Sequence, residues 1–357
     1  MKKILSICLA AAAFVGCTNT SVEFDTPDEI GFVVAANGIT RNVVAESVYP
    51  TTLNMYVYSW TNDFTSGTPN YINGVGADLN KGGEFEYRNA YNVEVPGKTG
   101  YEDDETPVWG GLTPYYWPNV KTLHFAGYSK SGTMTSATYA VTGAGAGTLT
   151  IAGYTPGIAT AAGANDLMYF PATTAYGKDT PYVPVTMYHT CSWITFLVQG
   201  DDVTAGKYTV TGLTINGIDN QADVVCGASS IVWSNNAAAD TNREITFDDL
   251  ALPNAEDEDA PYNVETGDEY AVADGGNIVV IPQTPGTLTL TYTYTSPAGQ
   301  DIEEVKDNIS LAVDAVNNKW EPGKHYVYTI TIKANEILIA PEAEAWDEDA
   351  DNNITIE

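Results

Sequence analysis

Positive charge is what this sequence has least of. Against 46 aspartates and glutamates stand 15 lysines and arginines, which leaves a formal charge of −31 over 357 residues. Only three of the cations are arginines: Arg41, Arg88 and Arg243. Such a field repels nucleic acid and anionic lipid surfaces, so no nucleic-acid partner is expected. Histidine is scarce too. His124, His189 and His325 each lie in or beside a strand-like run, and none falls in an H-x-x-x-H or H-E-x-x-H spacing. They are expected to be structural. There is no G-x-S-x-G, no P-loop, and no G-x-G-x-x-G after a strand. Carboxylates are plentiful, but nothing marks a particular pair for acid–base work. The acidic clusters are EDDE at 102–105, EDED at 256–259 and DEDAD at 347–351. The last begins like a calcium loop but lacks the glycine at its sixth place and the acid at its twelfth. All three read as solvated surface. No enzyme activity, no metal and no cofactor is expected.

Cysteine is limited to four residues: Cys8, Cys17, Cys191 and Cys226. Their spacing fits no metal or redox motif. Cys191 and Cys226 either pair, as export permits, or stay as two buried thiols. The single long apolar run is Ile4–Val15, behind Lys2 and Lys3. It has the length of a signal-peptide core and is too short to span a bilayer. It closes on FVGC, residues 14–17, which has the form of a lipobox with Phe14 where leucine is usual. Residues 1–16 are therefore expected to be a lipoprotein signal peptide. Cys17 is the expected acyl acceptor, and acyl chains there would anchor the protein to a membrane. Residues 18–28 are polar and without period, so 17–28 reads as a tether.

Helical periodicity is missing as well: no window of twelve residues keeps an i, i+3, i+4 stripe free of Gly and Pro. What remains is alternation. Ile30, Phe32 and Val34 alternate before the Asn37-Gly38 turn pair and Arg41. TLNMYVYSW at 52–60, KTLHFAGY at 121–128, KYTVTGLTI at 207–215, TLTLTYTYT at 287–295 and HYVYTITI at 325–332 read as half-buried strands. WITFLV at 193–198 is continuous and reads as buried on both faces. Many short strands separated by turn residues argue for β-sandwiches. Residues 171–184 carry three prolines and read as a linker, which divides the chain into 29–183 and 184–357. Residues 96–118 look like a surface excursion. The Gly/Ala-rich 143–165 reads as a mobile loop or a closely packed edge. Tyr115, Tyr116 and Trp117 could stack on sugar rings or pack at a sandwich edge.

Five stretches, in this order, carry a resemblance: FVGC, IGFVVAANGITR (30–41), WPNVKTLHFAGYSK (117–130), VPVTMYHTCSWITFLV (183–198) and KWEPGKHYVYTITIKANEILIAPEAEAW (319–346). Together they resemble the fimbrillins, the subunits of type V pili. The resemblance implies an all-β chain of two tandem transthyretin-like sandwiches, with the fourth stretch opening the second. It implies export as a lipoprotein to the outer membrane and cleavage after Arg41 by an arginine-specific protease, with Asn42 as the new terminus. The strand 29–41 would leave, and a C-terminal donor strand from another subunit would take its place. The candidate donor is 336–357, anchored by Ile337, Ile339, Trp346, Ile354 and Ile356, with Pro341 and the acidic run interrupting its pairing. The implied partners are other pilin subunits, that protease, the membrane through the lipid, and a host protein or glycan. Two other readings stay open: a surface lipoprotein that binds glycan, and a non-polymerising tip or anchor adhesin.

Overall fold

The structure is a computed structural model and describes residues 29–37, 53–74, 82–89, 107–129, 132–156, 166–180, 182–200, 206–237, 241–245, 250–252, 262–263, 278–313, 318–333 and 337–345. These residues form twenty-one strands, numbered in chain order, and no helix. The chain is all-β.

Seven strands close a barrel in the order β1-β4-β3-β2-β5-β8-β9. They are β1 (Gly31–Asn37), β2 (Met55–Thr61), β3 (Gly83–Asn89), β4 (Pro107–Gly111), β5 (Leu123–Ser129), β8 (Met168–Phe170) and β9 (Val183–His189). Alternation decides which side chains fill it. Phe32, Met55, Val57, Phe85, Leu123, Phe125 and Met187 share one buried cluster. The opposite faces of β2 and β5 are buried as well. Tyr58, Trp60, Ala126 and Tyr128 belong to a second cluster with β6 (Ser136–Gly143) and β7 (Ala146–Tyr154). This two-sided burial is why β2 and β5 carry aromatic or apolar residues in both phases.

The second cluster lies under a four-stranded sheet, β13-β12-β7-β6, that draws on both halves of the chain. β12 (Gln221–Cys226) and β13 (Ile231–Ala237) come from the later half. Cys226 pairs with Leu149, and Gly153 N–H donates to Asp223 Oδ1 at 2.7 Å.

The remaining strands make a sandwich. One sheet has β10 (Ser192–Gly200) parallel to β20 (Lys324–Ile332), with β21 (Ile337–Ala345) on the outer side of β20. The short β16 (Tyr262–Asn263) and β17 (Ile278–Val280) pair with the other side of β10. The other sheet runs β14 (Thr241–Ile245), β11 (Tyr208–Ile218), β18 (Thr287–Thr295) and β19 (Asp301–Ser310), with β15 (Leu250–Ala251) also on β11. Leu288, Leu290 and Tyr292 of β18 meet Phe196, Tyr328 and Ile330 in the core between the sheets. Trp320 of the W-x-P-G turn is fully buried there. Its Nε1–H donates to Tyr328 Oη at 2.8 Å, and that hydroxyl donates to Leu311 O at 2.8 Å.

Several expectations change. Residues 107–111 are not part of a surface excursion; they are β4, and Val108 and Trp109 are fully buried. The proline-containing stretch after β8 is no free linker. Tyr176 bridges Leu123 through two backbone hydrogen bonds of 2.7 and 2.8 Å, and Thr173 N–H donates to Phe125 O. Val183–His189 does not open the second half. Its alternate residues Val183, Val185 and Met187 fill the barrel, and the chain changes sheet at Thr190–Cys191. The Gly/Ala-rich run holds an ordinary inner strand, β7, where Gly147 lets the Tyr139 ring approach. Tyr115 and Trp117 pack on the barrel core, leaving Tyr116 exposed.

Candidate functional site

The strand that closes the barrel is the first one. β1 pairs in parallel with β9 over six residues, from Phe32↔Val183 to Asn37↔Tyr188, and antiparallel with β4 at Gly31↔Gly110 and Phe32↔Trp109. Its entry is held by Ile30 N–H donating to Tyr115 O at 2.7 Å. Without β1, the edges of β4 and β9 would each present unpaired backbone groups.

Its inward side chains are the centre of the barrel core. Ile30 and Phe32 are fully buried, and Val34 nearly so. The Phe32 ring meets Phe85 edge-on at 4.9 Å and Phe125 at 5.3 Å, with Phe170 at 6.3 Å. Burial of three such side chains contributes about 5–9 kcal/mol before ordering costs. On the outer face, Val33 packs with Val108 and Tyr182. At its start β1 is thus paired on both edges, at Gly31 and Phe32, with Phe32 covered on one face and Val33 on the other.

Phe32 and Val34, two of the alternating residues in the expected removable segment, lie in this strand, and Ile30 lies just before it. Ile337 and Ile339 lie on β21, which pairs with β20 over nine consecutive residues, Ile337↔Ile332 to Ala345↔Lys324. Ile337 packs partly against the sandwich core. The expected interruption at Pro341 is not found: the ladder continues through it, and Pro341 sits opposite Tyr328. An edge strand tolerates proline because an N–H on the open side has no ladder partner to lose. Cys17, Arg41, Asn42, Trp346, Ile354, Ile356 and the three acidic clusters lie outside the described residues, as do the side chains of Arg88 and Arg243.

The histidines are buried in strands. His124 Nδ1 lies 2.8 Å from Thr173 O and Nε2 lies 2.9 Å from Asn62 Oδ1, with the ring stacked on Trp60. His325 stacks on Trp193 at 3.6 Å and meets Thr195 Oγ1 at 2.8 Å. His189 Nδ1 meets Asp166 Oδ2, and Asp166 Oδ1 accepts the Cys191 N–H at 3.1 Å. This buried cluster sits where the chain passes from barrel to sandwich. Cys191 and Cys226 are free thiols in the second cluster. Burial pushes both thiols well up, and the nearby Asp166 charge pushes the same way. Among the described residues no group of three or more His, Cys, Asp or Glu could hold a metal ion.

Sequence reasoning missed two features: the Tyr182 ring over Gly31 and the Asp166–His189 contact. For the first there was a signal, since an isolated glycine inside a strand pattern marks a close approach. For the second there was none, because nothing local joins residues 166 and 189.

The arrangement is a barrel-closing strand whose inward side chains lie at the centre of the core. The sequence fits the fimbrillin-like family over residues 54–346. The chain belongs to the fimbrillin-like family. Among solved structures it is similar to a fimbrial protein from Bacteroides vulgatus, at 17% identity and a TM-score of 0.53, over 89% of this chain and 99% of that one. It is also similar to a candidate cell adhesion protein from Bacteroides uniformis, at 14% identity and a TM-score of 0.51, over 90% and 99%. At these identities the likeness is one of fold. No curated relative matches the sequence.

Proposed function

We propose that this fimbrillin-like chain is a structural subunit of a type V pilus that supports cell adhesion. It is exported as a lipoprotein precursor acylated on Cys17, carried to the outer membrane, and cut after Arg41 by an arginine-specific protease. The cut frees residues 29–41. A neighbour's strand, drawn from 336–357, then fills the place β1 held. The observation that carries this reading is the position of β1, which closes the barrel alone and holds Phe32 at its centre.

The energetics favour the exchange. Among the described residues β21 is an edge strand, paired on one side. In the place of β1 it would be paired on two sides, by β4 and β9, and would bury alternate apolar side chains. The contact is head to tail and does not close, so it propagates a fibre. Ile337, Ile339, Trp346, Ile354 and Ile356 are the apolar anchors that 336–357 offers.

The test is Arg41→Ala in cells that make the protein. The wild type is expected to yield surface material beginning at Asn42, SDS-resistant ladders and fibres in the electron microscope. The variant is expected to keep its lipid and form none. Fibres from Arg41→Ala would remove the trigger. Mature wild-type protein still acylated on Cys17 would favour an anchor or a glycan-binding lipoprotein instead.

A further inference from the structure

On the outer face of β1, the space that a side chain at Gly31 would need is already taken. A first side-chain carbon there would lie 2.9 Å from Tyr182 Cδ1 and 3.1 Å from Cε1, with the Trp109 carbonyl oxygen at 3.5 Å. The ring is not loose: Tyr182 is 9% exposed and clusters with Val108 and Val33. The register explains the meeting. Phe32 pairs with Val183, so one residue back sets Tyr182 beside Gly31, which itself lies opposite Gly110 of β4. An aromatic ring over a strand glycine supplies the apolar cover the glycine lacks. The same ring obstructs anything larger.

We propose that Tyr182 is a size gate on the strand place held by β1. It admits glycine, or alanine after a small shift of the ring, opposite Gly110, and turns away β-branched and larger residues. The proposal rests on the reading that a second copy's strand replaces β1. A methyl needs the ring to yield from 2.9 Å to ordinary contact at 3.4 Å. A β-branched residue adds two more heavy atoms on the same carbon and needs the ring evicted.

The gate also sets the register of the incoming strand. Neighbours of the gated position turn into the barrel, as Ile30 and Phe32 do, whichever way the strand runs. Residues 336–357 contain no glycine, and their alanines are Ala340, Ala343, Ala345 and Ala350. Ala343 and Ala350 each lie between two acids, and Ala345 follows Glu344. A carboxylate turned into the pocket of Phe85, Phe125 and Phe170 is excluded by the cost of burying its charge. Ala340 lies between Ile339 and Pro341. In the other apolar patch, Ile354 and Ile356 flank Thr355, whose branched carbon would meet the ring. The gate therefore selects Ile339–Ala340–Pro341 over Ile354–Thr355–Ile356, at the cost of the one ladder hydrogen bond that Pro341 cannot donate there.

The test is strand displacement from the full chain nicked after Arg41, with a fluorophore on the 29–41 segment and excess unlabelled peptide as competitor. Peptides 29–41 and 334–345 are expected to displace the label, and peptide 350–357 to do so poorly. Gly31→Val in the first peptide and Ala340→Val in the second are expected to weaken displacement by roughly tenfold or more. Tyr182→Ala in the chain is expected to restore both. Valine peptides that displace as well as the natural ones with Tyr182 in place would overturn the gate. The uncut chain gives an arm that needs no exchange: Gly31→Val is expected to lower the thermal midpoint, and less so when Tyr182→Ala is also present. Simply additive shifts would overturn the gate on their own. Coupled shifts with no displacement by either natural peptide would refute the replacement of β1, and with it the assigned register, while the contact between Tyr182 and Gly31 stood.

Discussion

Phe32 is the residue on which the closing strand turns. Its ring touches Phe85 and Phe125 edge-on inside the barrel, so truncation leaves a cavity that the surrounding strands cannot close. Phe32→Ala is expected to cost about 3–5 kcal/mol in urea unfolding. An unchanged midpoint would mean that β1 contributes nothing to the core. The two thiols make a second residue-scale prediction. Burial, with the Asp166 charge behind it, holds Cys191 and Cys226 protonated, and the thiolate is the reactive form. In the folded protein neither is expected to react with a disulfide reagent near pH 8, and both are expected to react once unfolded. A count of none after unfolding would reveal a disulfide where the structure has two free thiols.

At the scale of elements, the edges differ in how they are protected. β19 carries Asp301, Glu303, Glu304, Lys306 and Asp307, and bulges near Asn308, which adopts a φ of 58°. Charge and bulge together discourage a further strand. β21 carries Pro341, Glu342 and Glu344 on the open side of β20. Among the described residues it is held by one neighbour, whereas β20 is held by two. Its amides are expected to exchange with deuterium faster than those of β20 and β10. Equal protection would argue against β21 leaving its sheet. Elements were also where the sequence was most legible. TLTLTYTYT and HYVYTITI form the strands their alternation requires, β18 and β20. β4 was missed because PVWGG is short, ends in two glycines and follows an acidic stretch. Its strand character comes from β1 and β3 on either side of it.

At the scale of the whole molecule, charge and assembly oppose one another. Copies of so acidic a chain repel one another, and head-to-tail growth brings them together repeatedly. Raising the ionic strength from about 0.01 M to about 0.15 M shortens the screening length from about 30 Å to about 8 Å. Fibre growth by the cleaved subunit is expected to speed up over that range. Growth that slows would point to attractive charge pairs between copies.

The sequence by itself determined the β character, the alternation of β11, β18 and β20, the net acidic charge and the family resemblance. All of these follow from residues two to a few places apart. Only the tertiary structure decided that Val183–His189 completes the barrel, that β7 and β12 share a sheet across some seventy residues of chain, and that Tyr182 lies over Gly31. These depend on which strands find each other, and pairing is settled by the summed burial of whole faces, not by any local pattern.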